Sequence, residues 1–379
     1  MKKIFVMAKK MESGGTEVAL LNLLNELVKD KNNDITLGLL SMQGMYIQDI
    51  PKQVKVVEVL NKEQLACLEK MTIKNINFKI LKFKIACKLL RKRPLEKYLK
   101  ILQEVQQQED TYDIAIDFHG YGYIGTVYVI EKINARKKII FVHDEKIDWI
   151  DKIEAYMDKY DKIYCVSEAC KKRIIERYLK YKKNIDVFRN IIPRGKIIEL
   201  SKENINEMKD TCLKLLTVGR IEYQKGYDLL LDIAQVLKNK NLQFKWYIIG
   251  GGTLYEIINK RILEMGLSSN VILLGTKKNP YPYMAKCNIY IQPSRHEGYG
   301  IAIAEARVLE KPIIATNLDC IREQIVNGKN GLLCEFDKND FYNAIIKLIN
   351  DEELKESLVG NLKKDNQEST NDIKKLLEV

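Results

Sequence analysis

Several features are scarce in this sequence of 379 residues, and each scarcity excludes a class of protein. No run of about 18 uncharged apolar residues occurs, so we expect no membrane-spanning helix. The eight cysteines lack both metal-ligand spacing and a tight disulfide framework, which indicates a reduced, cytoplasmic compartment. The three histidines include no pair with metal-ligand spacing on one element. We therefore expect no structural zinc and assign neither a metal nor a cofactor.

Familiar nucleotide-binding and hydrolase motifs are also missing. The sequence has no P-loop, no nucleophile elbow and no G-x-G-x-x-G run, which argues against a nicotinamide or flavin cofactor. The first ten residues hold an apolar core that is too short for a signal peptide and that predicts a buried strand. With 46% hydrophobic residues, the chain can bury enough apolar surface to exclude a disordered protein.

The net charge of +12 is concentrated in residues 71–100, which hold ten basic side chains against Glu96 and so contribute +9. Apolar residues at three- and four-residue spacing predict an amphipathic helix with lysines on both sides of its stripe. We interpret this basic segment as a surface for anionic membrane, where each Lys or Arg contributes about 1 kcal/mol. A solvated helix face is the open alternative. Nucleic acid is not expected, because base-stacking aromatics interleaved with arginine are not evident.

Short β-branched runs alternate with helical stretches along the chain, which is the pattern of parallel βαβ units. Because the length exceeds the roughly 250 to 300 residues of one hydrophobic core, we predict two doubly wound α/β domains facing each other across a cleft. The predicted parts are an N-terminal domain (1–190), a linker (191–211), a C-terminal domain (212–350) and a helical segment (351–379) that can pack back on the N-terminal domain. The predicted strands cover residues 3–8, 35–40, 54–59, 113–118, 138–143, 162–167, 185–189, 213–218, 244–249, 271–274, 289–292, 312–315 and 331–336.

Loops that follow strands are the expected ligand sites in such sheets. Gly14 and Gly15 form a strand-to-helix turn at which backbone amides can approach an anion, although a plain tight turn explains them equally well. Arg220 and Lys225 follow the first strand of the second half and can bind a diphosphate. Arginine does so as a planar fork of donors, and lysine as a mobile point charge. Gly250 opens a second glycine loop, which is a phosphate site or a turn.

The run from Ser294 to Ala306 is the most informative. Its helix follows Gly300 and offers the amides of Gly300 and Ile301 to an anion. Eight residues separate Glu297 from Glu305, about 12 Å along a helix, which is too far for a glycosidase pair. The spacing suits two carboxylates that hold hydroxyls at opposite ends of a nucleotide-diphosphate sugar.

Two histidines of the first half, His119 and His143, stand at strand ends and would face the cleft. Each is equally compatible with a buried, satisfied histidine.

In combination these residues resemble glycosyltransferase family 4, the retaining GT-B enzymes, and in particular bacterial transferases that build capsules and other surface polysaccharides. The likeness rests on Gly14 to Glu17, Val218 to Arg220 with Lys225, Asn279 to Tyr283, and Glu297 with Glu305, and their order covers essentially the whole chain. The resemblance implies a nucleotide-sugar donor, UDP being the more common, bound mostly by the C-terminal domain without a required metal. It also implies a lipid-linked or surface-polysaccharide acceptor bound mostly by the N-terminal domain.

By position, the resemblance assigns Arg220 and Lys225 to the donor diphosphate and Glu297 to sugar hydroxyls near the reacting carbon. Glu305 would bind the ribose, and His143 and His119 would contact sugar or acceptor. Asp117-Phe118-His119 departs from the double-histidine pattern of better-known members, so no general base is assigned. A sugar-nucleotide epimerase of the same architecture and a non-catalytic basic binding protein are the alternatives. The expected location is the cytoplasm, peripheral on the inner face of the membrane.

Overall fold

The computed structural model describes residues 1–70, 94–365 and 373–378. They form two compact units. The first unit contains the described residues of Met1–Glu12, Leu20–Arg189 and Asp372–Val379, and the second contains those of Ser13–Ala19 and Asn190–Asn371. The basic segment lies for the most part outside the described residues, since the structure describes only 94–100 of it.

The first unit is built on a sheet of seven parallel strands in the order β3-β2-β1-β4-β5-β6-β7. Long apolar runs form its central strands because helices cover both faces of such a sheet. Phe5 in β1 and Phe141 in β5 are fully buried in this core. The strands are β1 (Lys2–Ala8), β2 (Asn33–Leu39), β3 (Lys55–Glu58), β4 (Thr111–Asp117), β5 (Asn134–Val142), β6 (Lys162–Cys165) and β7 (Ile185–Val187).

Helices follow these strands as the βαβ pattern requires. In the last of them Ser167 caps the N-terminus, because its hydroxyl accepts a hydrogen bond from the amide of Cys170 at 3.1 Å. The helices are α1 (Gly15–Leu27), α2 (Lys62–Lys70), α3 (Pro94–Gln103), α4 (Ile124–Lys132), α5 (Glu154–Met157) and α6 (Glu168–Arg177).

The second unit is built on six parallel strands in the order β10-β9-β8-β11-β12-β13. Trp246 is its largest fully buried side chain, and its indole N–H donates to the hydroxyl of Thr217 at 3.0 Å. Burial of the tryptophan therefore leaves no polar atom of the ring unpaired. The strands are β8 (Leu213–Val218), β9 (Phe244–Ile249), β10 (Val271–Leu273), β11 (Ile289–Gln292), β12 (Ile313–Thr316) and β13 (Leu332–Cys334).

Within the described residues, eight further helices belong to the second unit, and a last short helix belongs to the first. The second-unit helices are α7 (Arg194–Leu200), α8 (Tyr227–Asn239), α9 (Tyr255–Glu264), α10 (Tyr281–Lys286), α11 (Ile301–Val308), α12 (Asp319–Arg322), α13 (Lys338–Asn350) and α14 (Glu352–Asp365). Helix α15 (Ile373–Leu377) contacts the first sheet through Lys375. The Lys375 ammonium pairs with Asp186 at 2.9 Å, and the backbone carbonyl of Lys375 accepts a hydrogen bond from the hydroxyl of Tyr164 at 3.0 Å.

The α/β prediction is confirmed, and each of the thirteen predicted strands overlaps a strand of the structure. Helix α7 lies inside the stretch that the sequence predicts as a linker, where Ile197 is its one buried residue. A helix with so little apolar surface carries almost no periodic signal. Among the described residues, none of the helices is long and apolar enough to cross a membrane.

Candidate active site

The carboxyl ends of β8 and β11 form the switch point of the second sheet, because these neighbouring strands lead to crossovers in opposite directions. In open parallel sheets ligands bind at this position. The loop after β8 runs from Gly219 to Lys225, and the loop after β11 runs from Pro293 to Gly300. The structure thus places Arg220, Lys225 and Glu297 at one edge of the same sheet.

Lys225 and Glu297 form an ion pair in which Lys225 Nζ lies 2.6 Å from Glu297 Oε1. Their side chains are 17% and 7% exposed, so the pair is largely shielded from water. The hydroxyl of Ser294 donates to the same carboxylate oxygen at 2.7 Å. Two donors therefore hold the side chain of Glu297 in place at the switch point.

Behind Ser294 a chain of buried polar groups leads back into the sheet. The side-chain amide of Gln292 donates through Nε2 to Ser294 Oγ at 2.9 Å, and the hydroxyl of Tyr290 donates to Gln292 Oε1 at 2.6 Å. Each buried group in the chain has a partner, so the chain can hold Glu297 in one position at little cost.

Arg220 differs from Lys225 in its surroundings. Its side chain is exposed, and it makes no ion pair with any residue that the structure describes. Gly250, the other predicted phosphate residue, follows β9, and its amide donates to the carbonyl of Gly275 at 2.9 Å. An added Cβ at Gly250 would lie 2.0 Å from the carbonyl oxygen of Gly219, so these two loops touch through their backbones.

Helix α11 begins without a side-chain cap. Its N-cap is Gly300, which has a left-handed backbone with a φ of 85°. The carbonyl of Gly300 accepts from the amides of Ile303 and Ala304, whereas the amides of Ile301 and Ala302 precede the first intrahelical bond. This uncapped N-terminus has the partial positive charge that suits an anion.

Glu305 lies within α11 and is buried, with 6% of its surface exposed. The hydroxyl of Tyr281, at the start of α10, donates to Glu305 Oε1 at 2.9 Å. Burial raises the pKa of Glu305 to about 7, and the hydrogen bond from Tyr281 partly opposes this shift. The carboxyl group is therefore poised to titrate near neutral pH.

His143 and His119 lie at the carboxyl ends of adjacent strands of the first sheet. His143 Nε2 is 2.6 Å from the carbonyl oxygen of Phe118, so this nitrogen carries the proton. The amide of Lys9 donates to His119 Nδ1 at 2.8 Å, so this nitrogen acts as an acceptor. Gly14 and Gly15 stand at the turn into α1, where a Cβ on Gly14 would meet the carboxylate of Glu17 at 2.5 Å.

Asp117 is a buried carboxyl group that sequence reasoning did not single out. It accepts from the hydroxyl of Thr126 at 2.5 Å and from the amide of Gly120 at 3.1 Å, and so it holds the turn that carries His119. Burial raises its pKa to about 6. The sequence offers one signal for Asp117, which is its position at the end of a buried strand. It also offers one for Tyr281, the partner of Glu305, because Pro280 marks the start of a helix at that point.

The described residues contain no group of three or more His, Cys, Asp or Glu side chains that could hold a metal ion.

Residues 199–365, which lie within the second unit, match the family Glycosyl transferases group 1. Across 204 residues the chain is 35% identical to an uncharacterized glycosyltransferase of Methanocaldococcus jannaschii, with 53% of each chain covered. Across 213 residues it is 31% identical to the capsular polysaccharide biosynthesis glycosyltransferase CapM of Staphylococcus aureus, covering 53% of this chain and 56% of CapM. These matches thus span about half the length of the relatives.

Comparison with solved structures shows a likeness of fold that covers the whole chain. A TarM mutant of S. aureus, in complex with fondaparinux, alpha-GlcNAc-glycerol and UDP, superposes with a TM-score of 0.72 over 100% of this chain and 99% of TarM. The two sequences are 17% identical, so the likeness concerns the fold. That fold is the GT-B fold of glycosyltransferases, with two Rossmann-like units.

Proposed function

We propose that this protein is a retaining glycosyltransferase. It would move a hexose or N-acetylhexosamine from a UDP-sugar to a lipid-linked or surface-polysaccharide acceptor. The observation that carries the proposal is the Lys225–Glu297 pair at the switch point of the unit that matches Glycosyl transferases group 1, beside the uncapped N-terminus of α11. The names of CapM, a capsular polysaccharide enzyme, and of the TarM complex with UDP support the choice of acceptor and donor.

In this proposal the second unit binds the donor. Arg220 and Lys225 neutralise the diphosphate, and the amides of Gly300 and Ile301 bind a phosphate oxygen. Glu305 accepts hydrogen bonds from the ribose hydroxyls in place of the one from Tyr281. Gly250, Gly14 and Gly15 supply backbone that a diphosphate can approach without meeting a side chain.

The chemistry that we propose is a front-face displacement. The bond from the anomeric carbon to the β-phosphate oxygen breaks, and a bond from that carbon to the acceptor oxygen forms on the same face. The acceptor proton passes to the departing phosphate oxygen. Lys225 and Arg220 stabilise the negative charge that develops on the diphosphate, which is where fixed positive charge lowers the barrier most. Glu297 orients sugar hydroxyls near the reacting carbon.

We propose that the first unit binds the acceptor. Its turn at residues 120–122 presents Tyr121, whose ring centroid lies 6.0 Å from that of Trp149 and 6.3 Å from that of Tyr123. Tyr123 is 44% exposed, and such rings offer flat apolar faces on which a saccharide can stack. His119 and His143 would contact the bound sugars. The basic segment would hold the protein on the anionic inner face of the membrane, next to a lipid-linked acceptor.

Calorimetry and thermal unfolding with UDP, GDP, UDP-glucose and UDP-N-acetylglucosamine test the donor site. A ligand at a hundred times its dissociation constant adds about 2.7 kcal/mol of stability. We expect UDP and at least one UDP-sugar to raise the melting temperature. The Lys225→Ala variant should stay folded and lose about 10²- to 10³-fold in transfer rate, whereas Lys240→Ala, at an exposed lysine of the same unit, should not.

Two outcomes would contradict the proposal. If none of these nucleotides stabilises the protein, the donor site is wrong. If a UDP-sugar incubated alone is converted to an isomeric UDP-sugar, the protein is an epimerase.

A further inference from the structure

Arg295 belongs to the loop that carries Glu297, and its side chain extends to the loop that carries Lys225, where it faces two aromatic rings. The centre of its guanidinium group is 4.0 Å from the ring of Tyr223 and 4.5 Å from the ring of Phe336. Both distances are within the range of cation–π contacts. The planar guanidinium is thus enclosed from two directions, and its side chain is only 18% exposed.

The hydrogen bonds of Arg295 go to the Tyr223 loop and the helix that follows it. Its two terminal nitrogens donate to the two carboxylate oxygens of Asp228 at 2.8 and 2.5 Å, and one of them also donates to the carbonyl of Tyr223 at 2.9 Å. Arginine forms such a two-pronged pair with fixed geometry, and lysine cannot. The side chain therefore binds the loop before α8 in a set position.

Backbone contacts join the same two loops next to the ion pair. The amide of Arg295 donates to the carbonyl of Gln224 at 2.8 Å, and the side-chain amide of Gln224 donates to the carbonyl of His296 at 3.0 Å. Gln224 precedes Lys225, and His296 precedes Glu297. These two contacts, of which Arg295 makes one, thus tie together the residues next to both partners of the ion pair.

We propose that Arg295 is a positioning residue, which sets the distance between the Lys225 ammonium and the Glu297 carboxylate for the reaction. The inference rests on the proposed function of that site. Arg295 does not itself bind substrate, because Asp228 and Tyr223 occupy its fork. Its loss would let the two loops shift, and a misplacement of about 1 Å at a reacting centre can cost on the order of 10²-fold in rate.

The test compares Arg295→Lys with Arg261→Lys. Arg261 is a matched control, since it forms an arginine–aspartate pair in the same unit, with Asp232 at 3.8 Å, between α8 and α9. The assay follows release of UDP from UDP-N-acetylglucosamine and from UDP-glucose. We expect kcat of Arg295→Lys to fall by about 10²-fold while KM changes much less, and both constants of Arg261→Lys to stay near those of the parent protein. An unchanged kcat in Arg295→Lys would overturn the proposal.

A double variant separates positioning from general loss of structure. If Arg295 acts through Lys225, the rate of Lys225→Ala/Arg295→Lys should equal that of Lys225→Ala alone. Multiplied losses would show that Arg295 acts by another route.

The contacts of Arg295 with Tyr223 and Asp228 form a clamp between the Lys225 loop and the Glu297 loop, and hydrogen exchange tests this clamp without any assumption about the reaction. In Arg295→Lys, the amides of residues 223–226 and 295–297 should exchange faster than in the parent protein, whereas the strands of the same unit should not change. Exchange that is unchanged in the two loops would refute the clamp. A different result would refute the proposed function alone. In that case the two loops exchange faster in Arg295→Lys, but the parent protein neither binds nor cleaves a UDP-sugar.

Discussion

Lys225 and Glu297 are 72 positions apart in the chain, yet their charged atoms lie 2.6 Å apart at the switch point of the second sheet. The lysine proposed to hold a diphosphate is thus paired with the carboxylate proposed to hold the sugar. A diphosphate that binds Lys225 has to compete with this pair. The pair also keeps the ammonium group in place before the donor arrives, so little reorganisation is needed on binding.

The first prediction is that Glu297→Gln separates donor affinity from transfer. Removing the negative charge frees Lys225, so UDP should bind more tightly, by about fivefold if the competing pair contributes on the order of 1 kcal/mol. Transfer should fall, because the sugar loses its carboxylate partner. Calorimetry with UDP and a transfer assay measure the two effects. Weaker UDP binding by Glu297→Gln would contradict the competition between Glu297 and the diphosphate.

Much of the fold was predictable from the sequence, because buried parallel strands are continuous apolar runs and stand out by themselves. The burial of Glu305 was also predictable, since Ala304 and Ala306 flank it. The Lys225–Glu297 and Tyr281–Glu305 contacts were not. They depend on how loops from separate crossovers meet, which no local pattern encodes.

The second prediction is that donor affinity rises with pH through the pKa of Glu305. A carboxylate accepts two ribose hydroxyls, whereas the protonated group that prevails below about pH 7 does so poorly. Affinity for UDP-glucose should therefore increase about tenfold from pH 6 to pH 8. UDP-glucose is the suitable probe, because it lacks the terminal phosphate group that titrates near pH 6. In Glu305→Gln the increase should disappear, and an increase of the same size there would assign it to another group.

The third prediction concerns stability at the same residue. The folded protein keeps a proton on Glu305 up to about pH 7, whereas the unfolded chain loses it near the ordinary value of 4.5. The contribution of Glu305 to stability is thus present below about pH 4.5 and is lost as the pH rises towards 7. Relative to the parent protein, Glu305→Gln should gain up to about 3 kcal/mol in free energy of unfolding between pH 5 and pH 8. Urea denaturation at several pH values measures this, and a pH-independent difference would contradict it.

The fourth prediction is that Gly226→Ala damages the Lys225 loop. Gly226 has a φ of 69°, and an added Cβ would lie 1.9 Å from the carbonyl oxygen of Pro293 in the loop that carries Glu297. The two loops have to separate to admit a methyl group, so we expect a loss of more than about 1 kcal/mol in stability together with a large loss of transfer.

Gly360→Ala is the matched control, because Gly360 lies in α14 with nothing within 4 Å of an added Cβ. There alanine should stabilise the protein by about 0.5 to 1 kcal/mol. Equal effects of the two changes on transfer would contradict the prediction.

The fifth prediction is that the basic segment of residues 71–100 binds anionic lipid. Reversing four of its charges, in Lys79→Glu, Lys82→Glu, Lys84→Glu and Lys88→Glu together, removes at least four attractive charges, each contributing about 1 kcal/mol at an anionic surface. Binding to phosphatidylglycerol vesicles should weaken by about a thousandfold or more. On phosphatidylcholine vesicles, the parent protein and the variant should both bind weakly. Binding of UDP should stay unchanged, because the proposed donor site lies in the second unit.

A control variant has the same net charge, because four exposed lysines of the second unit are changed to glutamate instead: Lys240, Lys260, Lys329 and Lys363. If that control loses vesicle binding equally, net charge accounts for the attraction, and if neither variant loses it, the basic segment is a solvated face.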